Sequence, residues 1–505
     1  MRFPLRLDRP EALGGLRELA STTDFSERGV CDRLGLPSIY DFQTLRAGRE
    51  GSADVADGLD LLIRLFMDGE GVRASRIEEL GLSGGMRAVE ALGLLGGHPR
   101  GPGWLGASAL LYPTESLLIS SDLNEQAPGI SEDGGRLRRD SVYPAITNAA
   151  REFMSDLPLP GAGRVLDLCS GTGIGALALA RGAEEVWAVD ITERCTLFAE
   201  FNARLNGVHN IRILCGDLYE PLHERQFDLI VAHPPYVPSD ADEFVFRDGG
   251  ADGERIVRRI LEGLPDHLAP GGLFYARCMA TDRDDAPLER RIRSFLGARA
   301  EEFDVFVIPS REMRLSDYLS GGVRSGRMGF EEAESRRVRL EEAGVEAFVH
   351  GTLLVQRRAV GRPAVTSRRF RAPQAGPEVL DWLRRWEVAR LDSGFGEAVL
   401  EMTPRLREGA VLELRYRVAG GKPLTEGLSV RSDGPFPSAF FLPADTAHLL
   451  SLFDGATPVR EVFREGTHKE WIPPATREEE FVGLLVALSG GGVLELPGFE
   501  IPADT

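Results

Sequence analysis

Glycine recurs at alternate positions after a short apolar run near residue 165. The run and turn read Val165-Leu-Asp167-Leu-Cys-Ser-Gly171-Thr-Gly173-Ile-Gly175. Glycines between a strand and a helix permit positive φ angles and let the backbone approach a ligand closely. The amides at the start of the following helix suit an anionic group. The pattern predicts a cofactor whose carboxylate lies at the turn, with Asp167 placed for an ammonium group.

Two cofactor classes use glycine turns of this general kind. Nicotinamide and flavin sites carry G-x-G-x-x-G, whereas Ala176 follows Gly175 here and makes the spacing G-x-G-x-G with an acid upstream. A ligand with both a carboxylate and an ammonium fits this combination. The spacing therefore favours S-adenosyl-L-methionine over a dinucleotide.

Two further aspartates follow the next predicted strands. A carboxylate about 20 residues beyond such a turn can hold ribose hydroxyls, and Asp190 has that separation. Asp217 follows the third strand, where the adenine amino group needs an acceptor. Each aspartate alone could instead be a helix N-cap. The predicted cofactor site consists of Asp167, Cys169, Gly171, Gly173, Asp190, Ile191, Asp217, Leu218 and His233.

The fourth predicted strand ends in Ala232-His233-Pro234-Pro235-Tyr236. This run is similar to the Asn-Pro-Pro-Tyr motif of enzymes that methylate amino and amide nitrogens. Methyl transfer to a weakly nucleophilic nitrogen depends mainly on positioning, and two prolines make a loop rigid. His233, Pro234 and Tyr236 are therefore the predicted catalytic residues, although a proline-rich turn without function is the simpler alternative.

Histidine stands where that motif has asparagine. A neutral imidazole offers one acceptor and one donor on a larger ring. It could accept a hydrogen bond from the acceptor amine, or act as a general base near its unperturbed pKa of about 6.5. The histidine could also indicate that the acceptor is not an amide.

Short β-branched runs alternate with helical stretches from Arg164 to Arg358, which predicts an α/β fold with a doubly wound parallel sheet and an antiparallel edge. The last strand, after a helix over Phe330 to Glu342, is predicted at that edge. The seven predicted strands begin at Val165, Val186, Ile211, Leu229, Leu273, Val305 and Leu353.

Different patterns flank this region. Three short helices over 59–97 and an apolar hairpin over 103–119 predict an N-terminal, mainly helical, winged-helix-like module within residues 1–120. Residues 121–139 and 363–377 have the composition of linkers, so the sheet domain is placed at 140–360 and an α+β domain at 378–505. Leu449-Leu-Ser-Leu-Phe-Asp-Gly echoes Leu62-Ile-Arg-Leu-Phe-Met-Asp-Gly and hints at an internal repeat.

The formal charge of the 505-residue chain is −19, which disfavours nucleic acid as a partner because such binding depends on neutralising phosphates. Arg362, Arg368, Arg369 and Arg371 could form a local basic patch, but a solvated linker is the preferred interpretation. Five scattered cysteines predict neither disulfides nor a metal site. With no apolar run of signal or membrane-spanning length, we expect a cytoplasmic protein without a membrane partner.

The stretch from Asp167 to Gly272 resembles the HemK/PrmC family of class I protein-glutamine N5-methyltransferases. Its matching segments include Val189-Asp-Ile, Phe201-Asn-Ala, Asp248-Gly-Gly-Ala-Asp-Gly and Leu268-Ala-Pro-Gly-Gly. The resemblance implies a Rossmann-like seven-stranded sheet, S-adenosyl-L-methionine bound by Asp167, Gly171, Gly173 and Asp190, and an acceptor lined by His233, Pro234 and Tyr236. It also implies that residues 143–147 cover the cofactor.

The expected acceptor is an amide or amino nitrogen, foremost of a protein side chain. A small metabolite and an exocyclic base amine of RNA or DNA are the enzymatic alternatives. A cofactor-sensing regulator is the non-enzymatic one, and it would need a basic face on the helix over Met86 to Leu94, where Arg87 is the sole positive residue. The oligomeric state stays open.

Overall fold

The computed structural model describes residues 3–46, 55–123, 138–158, 161, 163–239, 243–326, 328–359, 361–372 and 376–497. Its first part is mainly helical, and one π-helical turn, Ile63–Met67, extends the fourth helix. The helices are α1 (Pro10–Thr22), α2 (Glu27–Leu34), α3 (Phe42–Arg46), α4 (Gly58–Leu62), α5 (Ala74–Glu79) and α6 (Ser83–Ala91). The strands are β1 (Val72–Arg73), β2 (Leu95–Gly97), β3 (Trp104–Ala107), β4 (Leu110–Thr114) and β5 (Leu117–Ser121).

The elements from α4 to β3 include a small sheet in the order β1-β3-β2, and the winged-helix-like character of this part stays a prediction. The hairpin predicted over 103–119 is wrong in its pairing. β3 pairs with β1 and β2, and the hairpin is formed by β4 and β5. Its tight turn is Glu115-Ser116, where both φ angles are positive, as a type I′ turn requires.

A large sheet lies at the centre of the molecule. Its strands are β6 (Arg164–Leu168), β7 (Glu185–Asp190), β8 (Ile211–Cys215), β9 (Phe227–Ala232), β10 (Leu268–Arg283), β11 (Phe303–Arg314), β12 (Val345–Arg357) and β13 (Thr366–Arg368). Their order is β13-β11-β12-β10-β9-β6-β7-β8. All seven predicted strands are present, and the α/β, Rossmann-like fold class is confirmed.

Two details of the predicted sheet are wrong. β12 does not lie at an edge but between β10 and β11, antiparallel to both. Residues 351–355 of this strand are all buried, as expected for an interior position. An eighth strand, β13, extends the sheet beyond β11, and it comes from the segment predicted to be a linker.

Helices cover both faces of the large sheet. These are α7 (Asn148–Ser155), α8 (Ile174–Leu179), α9 (Glu193–Leu205), α10 (Arg255–His267), α11 (Leu288–Phe295), α12 (Leu315–Arg324) and α13 (Phe330–Glu342). Ile260, Leu264 and Ile292 pack on one face, and Phe153 and Leu179 pack on the other. The apolar core of the N-terminal part continues into α8 and α9 through Leu177 and Phe198. The division at 120–140 therefore stays a prediction.

The described C-terminal residues 376–497 form five helices and five strands. The helices are α14 (Pro377–Ala389), α15 (Phe395–Glu401), α16 (Thr446–Leu450), α17 (Val459–His468) and α18 (Glu478–Gly490). The strands are β14 (Arg405–Leu406), β15 (Val411–Ala419), β16 (Lys422–Ser432), β17 (Ser438–Leu442) and β18 (Leu494–Glu495). β15, β16 and β17 form an antiparallel sheet of their own.

The arginines around residue 368 form neither a solvated linker nor a basic patch. Arg362 pairs with Asp304, Arg368 with Asp282, and Arg371 with Asp156. The side chains of Arg371 and Asp156 are 3% and 0% exposed. Acids of the sheet domain neutralise these three arginines, so ion pairs attach the segment to the sheet domain. Residues 373–375, and most of the connector predicted at 121–139, lie outside the described residues.

Candidate active site

The turns that carry the predicted residues begin at neighbouring strand ends. Leu168 lies opposite Ala232 in the parallel pair β6–β9 and opposite Val189 in the pair β6–β7. Asp190 lies opposite Cys215 in the pair β7–β8. Carboxyl ends of parallel strands share one edge, which is where open α/β sheets bind ligands. The glycine turn and the proline loop therefore open on the same side.

The glycine turn has the backbone that its composition predicts. Gly171 and Gly173 have φ angles of 53° and 79°, and Cys169 has 57°. A Cβ at Gly171 would meet no atom within 4 Å, whereas one at Gly173 would lie 3.0 Å from Cβ of Ala199. Gly171 therefore faces open space that a ligand can occupy, and Gly173 is needed for close packing against α9.

Asp167 lies beneath this turn and is 2% exposed. Its Oδ2 accepts a hydrogen bond from the amide of Ala176 at 2.8 Å. Burial raises the pKa of Asp167 to about 7, although the Ala176 amide acts in the opposite direction. One carboxylate oxygen is thus committed to the start of α8, so only Oδ1 is left for the predicted ammonium contact.

Asp190 connects the end of β7 to the glycine turn. Its Oδ2 accepts from the amide of Gly171 at 2.9 Å, and its Oδ1 accepts from the amide of Thr192 at 3.1 Å. Burial raises the pKa of this carboxyl, and the two amides oppose the shift. The adjacent side chain of Ile191 is 53% exposed. A carboxylate beside an exposed apolar side chain is suited to a ribose and its base.

Asp217 and Leu218 follow β8 at the same edge. Asp217 forms an ion pair with Arg259 at 2.9 Å, a partner that the sequence did not suggest. Leu218 is buried and has a φ angle of 55°. Burial raises the pKa of the Cys169 thiol, and the charges of Asp190, Asp167 and Asp217 add to the effect. The predicted cofactor residues therefore converge around Cys169.

One polar atom in the turn lacks a partner. The hydroxyl of Ser170 is buried and, within the described part of the chain, makes no hydrogen bond. A buried polar atom without a partner is costly, and a ligand carboxylate above the turn would supply an acceptor. With the open space at Gly171, this hydroxyl fits a cofactor that carries an amino-acid group.

Stacked rings hold the proline loop. The imidazole of His233 stacks on Phe153 of α7, with ring centres 5.2 Å apart and planes at 10°. Tyr236 lies 6.0 Å from His233, measured between ring centres. Phe153 also lies 3.1 Å from the position of a Cβ on Gly175. Phe153 therefore contacts both the glycine helix and the acceptor loop.

The environment of His233 sets its protonation state. Withdrawal of the ring from water lowers the pKa of His233 to about 4, and the nearby His350 and Arg277 act in the same direction. The imidazole is therefore neutral at neutral pH. The structure therefore does not provide the general base with a pKa near 6.5 that was one of the roles expected from sequence. It provides a neutral imidazole that can donate one hydrogen bond and accept another.

Four polar residues behind the loop were not predicted. Arg277 of β10 is fully buried and donates to Oγ of Ser310 at 2.7 Å, lies 3.2 Å from Nδ1 of His350, and pairs with Glu152. His350 packs edge-on against Tyr236 at 5.6 Å. Arginine in the middle of a buried strand was the sequence signal that could have revealed this cluster.

Glycines of the run Asp248-Gly-Gly-Ala-Asp-Gly hold Tyr236 in place. A Cβ at Gly249 would lie 2.8 Å from Cα of Tyr236, and one at Gly253 would lie 2.4 Å from its carbonyl oxygen. On the outer side of the loop, Tyr143 stacks on Phe246 at 4.9 Å. The segment 143–147 thus contacts the acceptor side, and its covering of a cofactor stays a prediction.

Asn202 joins the N-terminal hairpin to the glycine turn. Its amide nitrogen donates to the carbonyls of Ser120 and Thr172 at 3.0 and 2.9 Å, and its Oδ1 accepts from the amide of Ser120 at 2.8 Å. The residue is completely buried. Part of the cofactor turn is therefore positioned by the flanking region.

Comparison with known proteins finds a family match in the middle of the chain. Residues 143–295, which include every predicted site residue, match the model of the methyltransferase small domain family. A release factor glutamine methyltransferase of Thermodesulfovibrio yellowstonii is 34% identical over 125 residues, which are 22% of this chain and 45% of that protein. A ribosomal protein uL3 glutamine methyltransferase of Bradyrhizobium diazoefficiens is 38% identical over 122 residues, covering 22% and 38% of the two chains.

The chain spans about half the length, or less, of these two relatives. A crystal structure of ribosomal protein L11 methylase from Lactobacillus delbrueckii subsp. bulgaricus covers 42% of this chain and 77% of its own, with 21% identity and a TM-score of 0.24. The predicted resemblance to HemK/PrmC glutamine methyltransferases is confirmed for the segment that the sequence matches cover. None of the described helices combines the length and the apolar character that a membrane span requires.

Proposed function

We propose that this chain is a methyltransferase that uses S-adenosyl-L-methionine to methylate an amide or amino nitrogen of a protein side chain. The observation that carries the proposal is the pairing of Leu168 with Ala232. It brings the glycine turn and the His233-Pro-Pro-Tyr236 loop to one edge of the sheet, with Phe153 in contact with both.

The residues around Cys169 fit the proposed cofactor. Gly171 leaves space above the turn, and the unpaired Ser170 hydroxyl suits a carboxylate. Asp190 and Ile191 suit a ribose and its base, while Oδ1 of Asp167 suits an ammonium group. When bound, S-adenosyl-L-methionine supplies an electrophilic methyl group on a sulfonium.

The proline loop holds and orients the acceptor nitrogen. His233 is neutral and can accept a hydrogen bond from an N–H of the acceptor while its own N–H donates to a carbonyl. Tyr236 offers a flat ring to a planar amide, and the glycines at 249 and 253 fix its backbone. Positioning of this kind supplies most of the rate when the nucleophile is a weak nitrogen.

A protein acceptor is supported by the names of the relatives, whose substrates are a release factor and a ribosomal protein. The net charge of −19 is a reason against nucleic acid. All five cysteines are free, which agrees with a reducing cytoplasm as the setting. They are Cys31, Cys169, Cys195, Cys215 and Cys278.

The test is transfer of labelled methyl groups. Purified protein is incubated with methyl-labelled cofactor and a cell extract, which is then separated into protein, nucleic acid and small molecules. We expect label in the protein fraction, and less of it with Asp190→Ala at the same cofactor concentration. Label in another fraction would contradict the acceptor class, and failure of the wild type to bind S-adenosylhomocysteine by calorimetry would contradict the cofactor.

A further inference from the structure

Strand β15 of the C-terminal part carries a row of exposed apolar side chains. The exposed fraction rises along the strand, from 39% at Leu412 and 46% at Leu414 to 59% at Tyr416 and 73% at Val418. The register of β15 against β16 shifts at Glu426, which is the extra residue and belongs to β16. The alternation along β15 is therefore unbroken, and all four side chains lie on one face.

This row continues a face that is buried further inside the same sheet. Leu412 and Leu414 lie opposite Val430 and Leu428 of β16, which are 0% and 1% exposed. The C-terminal helices cover the residues of β16 but leave those of β15 in solvent. The apolar face of the sheet thus extends from β16 to β15, beyond the area that the C-terminal helices cover.

β15 is also an edge strand. The order of its sheet is β15-β16-β17, and no strand of the described residues pairs with its outer side. A long apolar edge with free amides and carbonyls is a template for another strand, and proteins usually protect such edges. A stable occupant would remove both the exposed apolar area and the unpaired backbone groups.

We propose that the occupant is β15 of a second copy of this chain, paired antiparallel about a two-fold axis through Leu414. Residues opposite each other in an antiparallel pair point to the same face of the sheet, whereas neighbours along one strand point to opposite faces. In a symmetric pair of identical strands, one residue must therefore lie opposite its own copy, and the two-fold axis passes between these two. Centred on Leu414, Glu413 lies opposite Arg415 of the second copy, and the same ion pair forms twice. The pairing joins two three-stranded sheets into one of six strands.

Charge favours this register over its two neighbours. Centring on Glu413 places two glutamates opposite each other, and centring on Arg415 places two arginines opposite each other although it also sets Glu413 against Arg417. Of the three registers, only the one centred on Leu414 forms ion pairs without setting like charges against each other. Like charges directly opposite one another destabilise a sheet, whereas opposite charges and aromatic–aliphatic pairs stabilise it. Centring on Leu414 also sets Leu412 against Tyr416 of the second copy on the apolar face. The strand is self-complementary in this register.

The mass of the full chain in solution tests the proposal. One copy weighs 55.2 kDa, and sedimentation equilibrium should give twice that mass at concentrations of about 10–100 µM. Glu413→Arg sets arginine against Arg415 at two places, so we expect the dissociation constant to rise at least about tenfold. The double variant Glu413→Arg/Arg415→Glu restores both pairs with reversed polarity, and we expect it to restore the dimer.

Arg417→Glu is the matched control. In the proposed register residue 417 lies opposite Val411 of the second copy, so its charge should leave the dimer unchanged. In the register centred on Arg415 it would lie opposite Glu413, and the change would weaken the dimer as strongly as Glu413→Arg does. Circular dichroism checks that each variant is folded.

Three outcomes would overturn the inference. A wild-type chain that stays a monomer at about 100 µM would leave a strand of another protein as the occupant of β15. A double variant that fails to restore the dimer would exclude the register. Equal effects of Arg417→Glu and Glu413→Arg would do so as well.

Discussion

Two aspartates at neighbouring strand ends have different environments although sequence assigns both to one ligand. Asp167 is enclosed beneath the glycine turn, and burial raises its pKa to about 7. Asp190 holds the turn from the side through the amides of Gly171 and Thr192. Asp167 thus supports the start of α8, while Asp190 is the carboxylate that both shapes the turn and is placed for a ribose.

Replacing Asp190 by alanine should weaken cofactor binding strongly. The change removes the acceptor of the Gly171 amide together with the proposed ribose contact. A hydrogen bond to a charged group contributes about 1.5–3 kcal/mol, which is roughly a 10- to 100-fold rise in dissociation constant. Calorimetry with S-adenosylhomocysteine measures it.

Asp228→Ala is the control for that change. Asp228 also accepts a backbone hydrogen bond, from Arg164 at 2.8 Å, but it lies at the opposite end of the sheet. Its loss should lower stability without changing affinity. Equal affinities of wild type and Asp190→Ala would refute the role of Asp190.

The lowered pKa of His233 predicts a specific pH dependence. Because the folded pKa is about 4 and the unfolded one about 6.5, the unfolded state binds more protons between these values. The stabilising contribution of neutral His233 is complete above pH 6.5 and is lost as pH falls towards 4. His350 shifts in the same direction.

Activity should follow the same protonation. We expect the His233-dependent part of kcat/KM to be constant from about pH 5.5 to 8, with titration near pH 4 in the NMR signal of the ring. A half-maximum near pH 6.5 that disappears in His233→Asn would instead identify this histidine as a general base.

At the scale of elements, the glycine run after the proline loop should control acceptor placement. Gly253 has a φ angle of 84°, and a Cβ would lie 2.4 Å from the Tyr236 carbonyl oxygen. We expect Gly253→Ala to move Tyr236 and lower kcat/KM at least tenfold while S-adenosylhomocysteine still binds. Activity assays and calorimetry on the same preparation separate the two effects.

Gly297→Ala provides the comparison. Gly297 has a similar φ of 63°, but no atom lies within 4 Å of its Cβ position. It should carry only the backbone cost of about 1–2 kcal/mol and keep full activity. Loss of activity in both variants would indicate general destabilisation.

The Asn202 contacts predict coupling between the N-terminal hairpin and the cofactor turn. Asn202→Ala leaves the backbone groups of Ser120 and Thr172 without partners, at about 1–3 kcal/mol for each buried group. We expect a lower melting temperature and weaker S-adenosylhomocysteine binding, measured by calorimetry.

Asn206→Ala is a matched control, since Asn206 bonds the amide and carbonyl of Leu118 in the same hairpin without reaching the glycine turn. It should lower the melting temperature alone. If it weakened the affinity as much as Asn202→Ala does, the Thr172 contact would not be the coupling.

The elements show what sequence patterns can and cannot predict. Runs such as those at Val165 and Val186 predicted the strands because burial on both faces selects continuous β-branched stretches. The position of β12 in the sheet could not be predicted from such runs, because the order of the strands depends on pairing with β10 and β11 that exists only in the folded chain. The cluster of Arg277 and His350 was missed because β10 and β12 are far apart in the sequence and pair only in the folded chain. An arginine within an apolar run was the one signal of it.

Across the whole molecule, the two ends of the chain repeat one arrangement with a change in order. In the N-terminal part β1 and β2 pair with β3, which follows them. In the C-terminal part Asp454 and β18 pair with Arg405 and β14, which precede them. In both parts, two helices lie along the chain between the two segments that pair with the central strand. The echo seen in the sequence lies next to a similar order of short pairings and helices in both parts, and an internal repeat stays a prediction.

A buried polar network ties the segment after the sheet to the candidate site. Arg371 pairs with Asp156, whose Oδ2 accepts from Thr352 at 2.7 Å, and Arg277 donates to the Thr352 hydroxyl at 3.3 Å. Burial raises the pKa of Asp156, and the charge of Arg371 opposes the shift. The ion pair therefore compensates a carboxylate that is closed to solvent.

Removing one partner of this pair should be far more damaging than removing both. Arg371→Ala leaves Asp156 buried without its guanidinium, and we expect the free energy of unfolding to fall by about 3–5 kcal/mol. Arg371→Met/Asp156→Leu should recover most of that loss, because apolar residues of similar volume replace a buried pair well. Arg337→Ala, which breaks exposed pairs on α13, should lower the stability far less, because solvent screens such pairs. Urea unfolding followed by circular dichroism measures all three, and a double variant no more stable than Arg371→Ala would mean that the segment is held by contacts other than this charge pair.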